Sequence, residues 1–182
     1  MSSIYFGGSR ALPSDQAGLI GLVVDQAIYH CKKIHVGCCL GADQFVALAA
    51  LGSRASFLSV FAICNSLGVG MCNLTSGIPF LAQSLGAGVH FLAGGNLSLP
   101  LKVRLIKRSI AAMQGCESAV FFSPGSGSLT VAAKAVERSI PVYAFTADQF
   151  PPHQIPGCVG HWEKGLFFTM PCWQWQPAQL EF

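Results

Sequence analysis

Three turns in this chain carry residues that could do chemistry, and the chemistry they suit is holding an anion. In Phe122-Ser123-Pro124-Gly125-Ser126-Gly127-Ser128, an apolar run stops at a proline and reopens in small residues. Leu129, Ala132, Ala133 and Val136 then recur at the spacing of one helix face. Such a turn lets a ligand come close to the backbone. The first N–H groups of the following helix have no internal partner, so Gly125, Ser126, Gly127 and Ser128 form a candidate phosphate cradle. Ser126 or Ser128 could instead serve as an ordinary N-cap. Gly8-Ser9-Arg10 adds a hydroxyl and a guanidinium, the side chain best shaped for bidentate phosphate contact. Gly37-Cys38-Cys39-Leu40-Gly41-Ala42-Asp43 places a carboxylate in the first turn of a second helix, where it either accepts from ribose hydroxyls or caps its own helix. Arg104, Lys107 and Arg108 stand at i, i+3 and i+4, opposite an apolar stripe of Val103, Ile106, Ile110 and Met113. They predict a basic helix face from which Arg104 adds a charged contact to the phosphate.

Turnover finds less support than binding. The eight acidic residues offer no obvious general acid–base pair. Cys38 or Cys39 could act as a nucleophile, yet the sequence sets no His or acid beside either. His153, Cys158, His161 and Cys172 could be combined as zinc ligands but match no strong zinc spacing. The expectation is therefore a site with no catalytic residue, no metal and no cofactor.

The elements that must position these turns alternate. Strands are predicted at Ile4 to Arg10, Ile34 to Cys38, Phe57 to Cys64, Val89 to Ala93, Ser118 to Ser123 and Pro141 to Phe145. Helices are predicted after Ser14 as a cap, from Gly41 through Leu51, near Ile78 to Leu85, from Pro100, and over Ser126 to Arg138. That order predicts an α/β fold, a doubly wound and mainly parallel six-stranded sheet with helices on both faces. All three turns fall at carboxyl ends of predicted strands, where such sheets bind ligands. The domain is predicted to span residues 1–146. Beyond it, Pro151, Pro152, Pro156, Pro171 and Pro177 argue against long regular structure, while Trp162, Phe167, Phe168, Trp173 and Trp175 argue against a free tail. Residues 147–182 are thus expected to pack on the domain or on a partner subunit.

Composition bounds the setting. The chain is 52% hydrophobic and only 10% charged, which suits a sheet covered on both sides and a subunit interface, hence a homo-oligomer. A formal charge of +3 does not by itself imply nucleic-acid binding. The start lacks the basic and apolar regions of a signal peptide. The eight Cys include Cys31, Cys38, Cys39, Cys64, Cys72 and Cys116 in or beside apolar segments, so free thiols in a cytoplasmic protein are expected. Ala55 to Leu101 holds no Lys, Arg, Asp or Glu, but Asn65, Asn73, Thr75, Gly77, Pro79 and Gln83 interrupt it, so no membrane span is expected.

Together the turns resemble the Rossmann-like SLOG superfamily, and most closely the DNA-processing protein A family of recombination mediators. That family's G-S-R matches Gly8-Ser9-Arg10. Its G-x-A-x-G-x-D matches Gly37, Gly41 and Asp43, with Cys39 in place of Ala. Its P-x-R-N-R matches Pro100-Leu101-Lys102-Val103-Arg104, with Lys and Val in place of Arg and Asn. Its S-G-S-x-x-T-A matches Ser126 to Ala132, with Thr130 one place early. The resemblance runs over residues 4 to 146 and implies a Rossmann-like domain that binds single-stranded DNA. Related lysine-decarboxylase-like phosphoribohydrolases carry P-G-G-x-G-T-x-x-E, whose catalytic Glu has no counterpart here before Glu137. Other superfamily members are sensors or sequestering proteins for nucleotide-derived signals. The leading expectation is binding of a phosphorylated, nucleotide-derived ligand without turnover. Single-stranded DNA binding ranks second, and nucleotide N-glycosidase chemistry third.

Overall fold

The computed structural model describes residues 1–12, 14–64, 77–148 and 150–178. Its centre is a parallel sheet with helices packed on both faces, and its two middle strands are accordingly almost wholly buried. The strands are β1 (Ser3–Gly8), β2 (Lys33–Val36), β3 (Leu58–Ile63), β4 (Gly88–Leu92), β5 (Ser118–Phe122) and β6 (Val142–Phe145). All five residues of β5 are buried. Between them lie α1 (Ala17–Tyr29), α2 (Ala42–Arg54), α3 (Ile78–Ser84), α4 (Leu101–Ala112) and α5 (Ser126–Glu137).

Period-two alternation divides the core. Ile4, Phe6, Ile34, Val36, Leu58 and Val60 point to one face and pack against Ile20, Val23 and Val24 of α1 and Val46, Ala47 and Ala50 of α2. Tyr5, Ala119 and Phe121 point to the other, against Ala112 and Met113 at the end of α4 and Leu129, Ala132 and Ala135 of α5. One sequence expectation needs local correction. Ser14 opens a short 3-10 turn, Ser14–Gln16, and the N-cap of α1 is Gln16, which makes no side-chain capping bond. The expectations placed on Asn65, Cys72, Asn73 and Thr75 fall outside the described residues.

The sheet is mainly parallel, as expected, but it has eight strands rather than six and is mixed, with two antiparallel pairings at one edge. The added pair, β7 (Gly160–Phe167) and β8 (Met170–Pro177), is an antiparallel hairpin built from the proline-rich tail. The prolines do not prevent this. β8 pairs with β6 at Trp173 and Gln174, and Pro171 and Pro177 lie outside that ladder. Its anchors are apolar: Trp175 and Phe167 are buried, and Trp162 meets Trp175 edge-on at 5.3 Å.

Strand order is β4-β3-β2-β1-β5-β6-β8-β7. The chain steps outward from β1 to β4, then returns to lay β5 on the other side of β1. The carboxyl ends of β1 and β5 therefore flank the point where winding reverses. There, neighbouring crossovers diverge and leave a crevice. Among the described residues, no helix is long and apolar enough to cross a membrane.

Candidate functional site

The crevice at the ends of β1 and β5 is a cleft of about 140 Å³. Gly8, Arg10, Asp43, Ser126, Gly127 and Ser128 line it together with Tyr5, Cys39, Lys102, Leu105, Ile106, Arg108, Ser109 and Val131. Its floor is held by hydrogen bonds between the turns. The Ser9 N–H donates to the Phe122 carbonyl at 3.0 Å, and the Ser128 hydroxyl donates to the Gly8 carbonyl at 2.8 Å. The Ala42 N–H donates to the Ser9 carbonyl at 2.9 Å. Gly41 permits this approach: its φ of +79° is left-handed, and a side chain there would strike the backbone of Ser9 and Arg10.

On one wall, α5 begins at Gly125 without a side-chain cap, and the Gly125 carbonyl accepts from Leu129 at 2.9 Å. Among the described residues, the Ser126, Gly127 and Ser128 amides find no acceptor. They present the positive end of the helix dipole to the cleft. Arg10 and Lys102 stand exposed at the rim, and neither forms an ion pair among the described residues.

The opposite wall hides a buried ion pair. Arg108 is 2% exposed and Asp43 7% exposed, and Arg108 Nη2 lies 3.6 Å from Asp43 Oδ2. The Cys39 N–H donates to the same carboxylate oxygen at 3.2 Å. Arg108 Nη1 donates to the Phe61 carbonyl at 2.9 Å, and its guanidinium touches Cys38 Sγ at 3.7 Å and Cys39 Sγ at 3.4 Å. Burial pushes the Asp43 carboxyl up, while Arg108 and the Cys39 N–H pull it back. Burial would pull the Arg108 guanidinium down, yet Asp43 holds it fully charged. Burial lifts the Cys38 thiol to about 11 and the Cys39 thiol above its ordinary value, against the opposing pull of Arg108. Thiols held protonated in this way are poor nucleophiles at neutral pH.

This arrangement revises how several predicted residues are used. Asp43 lines the cleft, but its carboxylate is committed to Arg108 and Cys39. Gly37 lies outside the lining, and a Cβ there would overlap Asp43 Oδ2 and Arg108 Nη1, so its bareness makes room for the pair. Ser9, Gly41, Arg104 and Gly125 also lie outside the lining.

Of the three basic residues read on one face of α4, Lys107 is exposed but both arginines are buried. Arg104, Arg108, Ser109 and Ala112 are its buried residues, whereas Val103 is exposed and Ile106 and Ile110 are half-buried. Arg104 donates through Nε to the Ala93 carbonyl at 2.7 Å and through Nη2 to the Cys64 carbonyl, so it closes the ends of β3 and β4. Strand ends leave carbonyls without ladder partners, and a guanidinium satisfies several at once.

Sequence reasoning missed Lys102, Tyr5, Ser109 and Arg108 as lining residues. For the residues of α4 a signal was available, since Lys102, Leu105 and Ser109 stand at i, i+3 and i+7 on one helix face. Among the described residues, no group of three or more His, Cys, Asp or Glu is arranged to hold a metal ion. His161 instead meets Glu163 at 2.7 Å.

Fold and cleft together define a Rossmann-like α/β domain whose switch point offers free amides and cationic side chains to an anion. No protein-family model and no curated protein matches the chain. Among solved structures, it is similar to the X-ray structure of DNA processing protein A (DprA) from Streptococcus pneumoniae, with a TM-score of 0.61 and 21% sequence identity over 82% of this chain. It spans about half of that protein, 52% of its length, and the likeness is one of fold.

Proposed function

We propose that the switch-point cleft binds a nucleic-acid phosphate and that the chain engages single-stranded DNA, as a recombination mediator would. The observation that carries this reading is the set of unpartnered amides of Ser126, Gly127 and Ser128 facing Arg10 and Lys102 across one cleft. Likeness of fold to a DNA processing protein supports a polynucleotide over a free nucleotide. So does the motif resemblance over residues 4 to 146. Asp43 is the one carboxylate lining the cleft among the described residues, and its engagement by Arg108 argues against the glycosidase reading.

A second reading is favoured by the cleft's size. About 140 Å³ suits one phosphorylated group better than a strand, and so keeps open a nucleotide-derived small ligand, sensed or sequestered without turnover. Fluorescence anisotropy with a labelled oligothymidylate at low and moderate salt, beside thermal shifts with mononucleotides and cyclic nucleotides, separates the two. Salt-sensitive oligonucleotide binding lost in Arg10→Ala supports the DNA reading. Stabilisation by a small nucleotide without oligonucleotide binding replaces it with the second.

A further inference from the structure

Two polar side chains of the cleft lie deeper than the others. Tyr5 and Ser109 both line it, yet Tyr5 is 2% exposed and Ser109 is 7% exposed. They form its floor, while Arg10 and Lys102 stand exposed at its rim. Tyr5 arrives from β1 and Ser109 from α4, and the two adjoin. The Tyr5 hydroxyl sits under the turn that follows β1's buried stretch, where a Cβ on Gly7 would stand 2.8 Å from it. Burial, with Asp43 nearby, holds the Tyr5 phenol protonated, so it stays a donor.

Each hydroxyl carries one proton to donate. Among the described residues, neither donates to a carbonyl or a carboxylate. A bond between the two uses one of their protons and leaves the other for an acceptor in the cleft. Behind them the floor is closed. Tyr5 packs edge-on against Phe121, ring centroids 5.8 Å apart, in a cluster with the fully buried Ala112 and Met113. A ligand therefore enters at the mouth and stops at the hydroxyls.

That shape separates two kinds of phosphate. A phosphate monoester ends its chain and carries three acceptor oxygens and about −1.5 to −2 charges at neutral pH. An internal phosphodiester keeps a single charge and spends one of those oxygens on a second ester arm. We propose that the cleft selects a phosphate monoester, the terminal phosphate of a strand, over an internal phosphodiester, and that Tyr5 and Ser109 make the selection. The inference rests on the reading of the cleft as a nucleic-acid phosphate site. The amides of Ser126, Gly127 and Ser128 hold the phosphate from the side, together with Arg10 and Lys102. The hydroxyl pair takes the oxygen that a diester would use for its second arm, and that arm would meet the closed floor. A free nucleotide presents the same monoester, so the two sources share the recognised chemistry and differ only in what leaves the mouth.

The test compares oligothymidylates ending in a 5′-phosphate, a 3′-phosphate or hydroxyls alone, in anisotropy titrations of the full chain. Thymidine 5′-monophosphate and thymidine are run beside them by thermal shift. One phosphorylated end should bind on the order of tenfold tighter than a hydroxyl end, the worth of a hydrogen bond to a charged group. Tyr5→Phe keeps the ring and its packing but loses the hydroxyl, and should bring that ratio toward unity. Ser109→Ala should do the same, and it keeps the test decisive if Tyr5→Phe fails to fold. Equal binding of phosphorylated and hydroxyl ends by the wild type overturns the inference and leaves the single-strand reading standing. A preference that survives both substitutions overturns the assignment to Tyr5 and Ser109. Stabilisation by the monophosphate over thymidine, lost in Tyr5→Phe and seen without any oligonucleotide binding, supports monoester selection and overturns the strand as its source.

Discussion

The Asp43 carboxylate and the Arg108 guanidinium reach each other, 3.6 Å apart, from helices on opposite faces of the sheet. α2 and α4 are separated by the strand layer along most of their length. Only beyond the carboxyl ends of the strands can side chains from the two layers touch. The pair therefore forms one wall of the cleft and also ties the layers together.

Removing one member should be costly, because the other is left as an uncompensated buried charge. Asp43→Ala or Arg108→Met alone is expected to lower stability by about 3–5 kcal/mol in urea unfolding. Asp43→Leu combined with Arg108→Met should recover most of that loss. Equal costs for the double variant and the sum of the singles would show that the two residues do not act as a pair.

The turns were legible in the sequence and the pair was not, for a physical reason. A strand, a small-residue turn and a helix are consecutive in the chain, so Gly8-Ser9-Arg10 and Gly125 to Ser128 announce themselves locally. Asp43 and Arg108 are far apart in sequence, and only the winding of the sheet brings them together. The stripe rule that assigns charged residues to solvent misplaced Arg104 and Arg108. α4 crosses the strand ends, where free carbonyls and a buried carboxylate make a polar interior. The prolines of the tail hid β7 and β8, since composition cannot show that Pro171 and Pro177 fall outside the β6 ladder.

Ser128 and Arg104 carry structural hydrogen bonds, so their truncation should be felt without any ligand. Ser128→Ala loses the bond to the Gly8 carbonyl at 2.8 Å and is expected to cost about 0.5–1.5 kcal/mol. Arg104→Met leaves the Ala93 and Cys64 carbonyls without their donor and is expected to cost on the order of 1–3 kcal/mol. Arg104→Met should leave oligonucleotide affinity unchanged once the protein is folded. A large affinity loss with intact stability would place Arg104 in the site after all.

His35 gives the fold a pH dependence of predictable sign. Burial holds its imidazole below the ordinary value of 6.5, against the opposing pull of the Ala112 carbonyl at 2.9 Å. The unfolded chain therefore takes up the proton first as the pH falls. The stability this group contributes is complete above pH 6.5 and is lost as the pH falls toward the lower folded value. Urea midpoints of the wild type should decline below pH 6.5 more steeply than those of His35→Asn. Parallel declines would remove His35 as the source.

The cleft makes a quantitative claim about salt. If a single strand is held there, the cationic contacts available at the rim are Arg10 and Lys102, while the neutral amides of Ser126, Gly127 and Ser128 bind phosphate without displacing the cations condensed on the DNA. Two neutralised phosphates predict a slope of log affinity against log salt of about −1.4, and losing either cation should bring it to about −0.7. Arg10→Ala and Lys102→Ala should thus each weaken oligothymidylate binding and flatten its salt dependence, and the pair together should nearly abolish that dependence. Ser126→Pro removes one amide donor at the first helical position, where proline is tolerated. It should lower affinity while keeping the slope. Anisotropy titrations across a salt series measure all of this on the folded protein. A much steeper slope, unmoved by either substitution, would place the strand on a different surface and leave the cleft to a smaller phosphate.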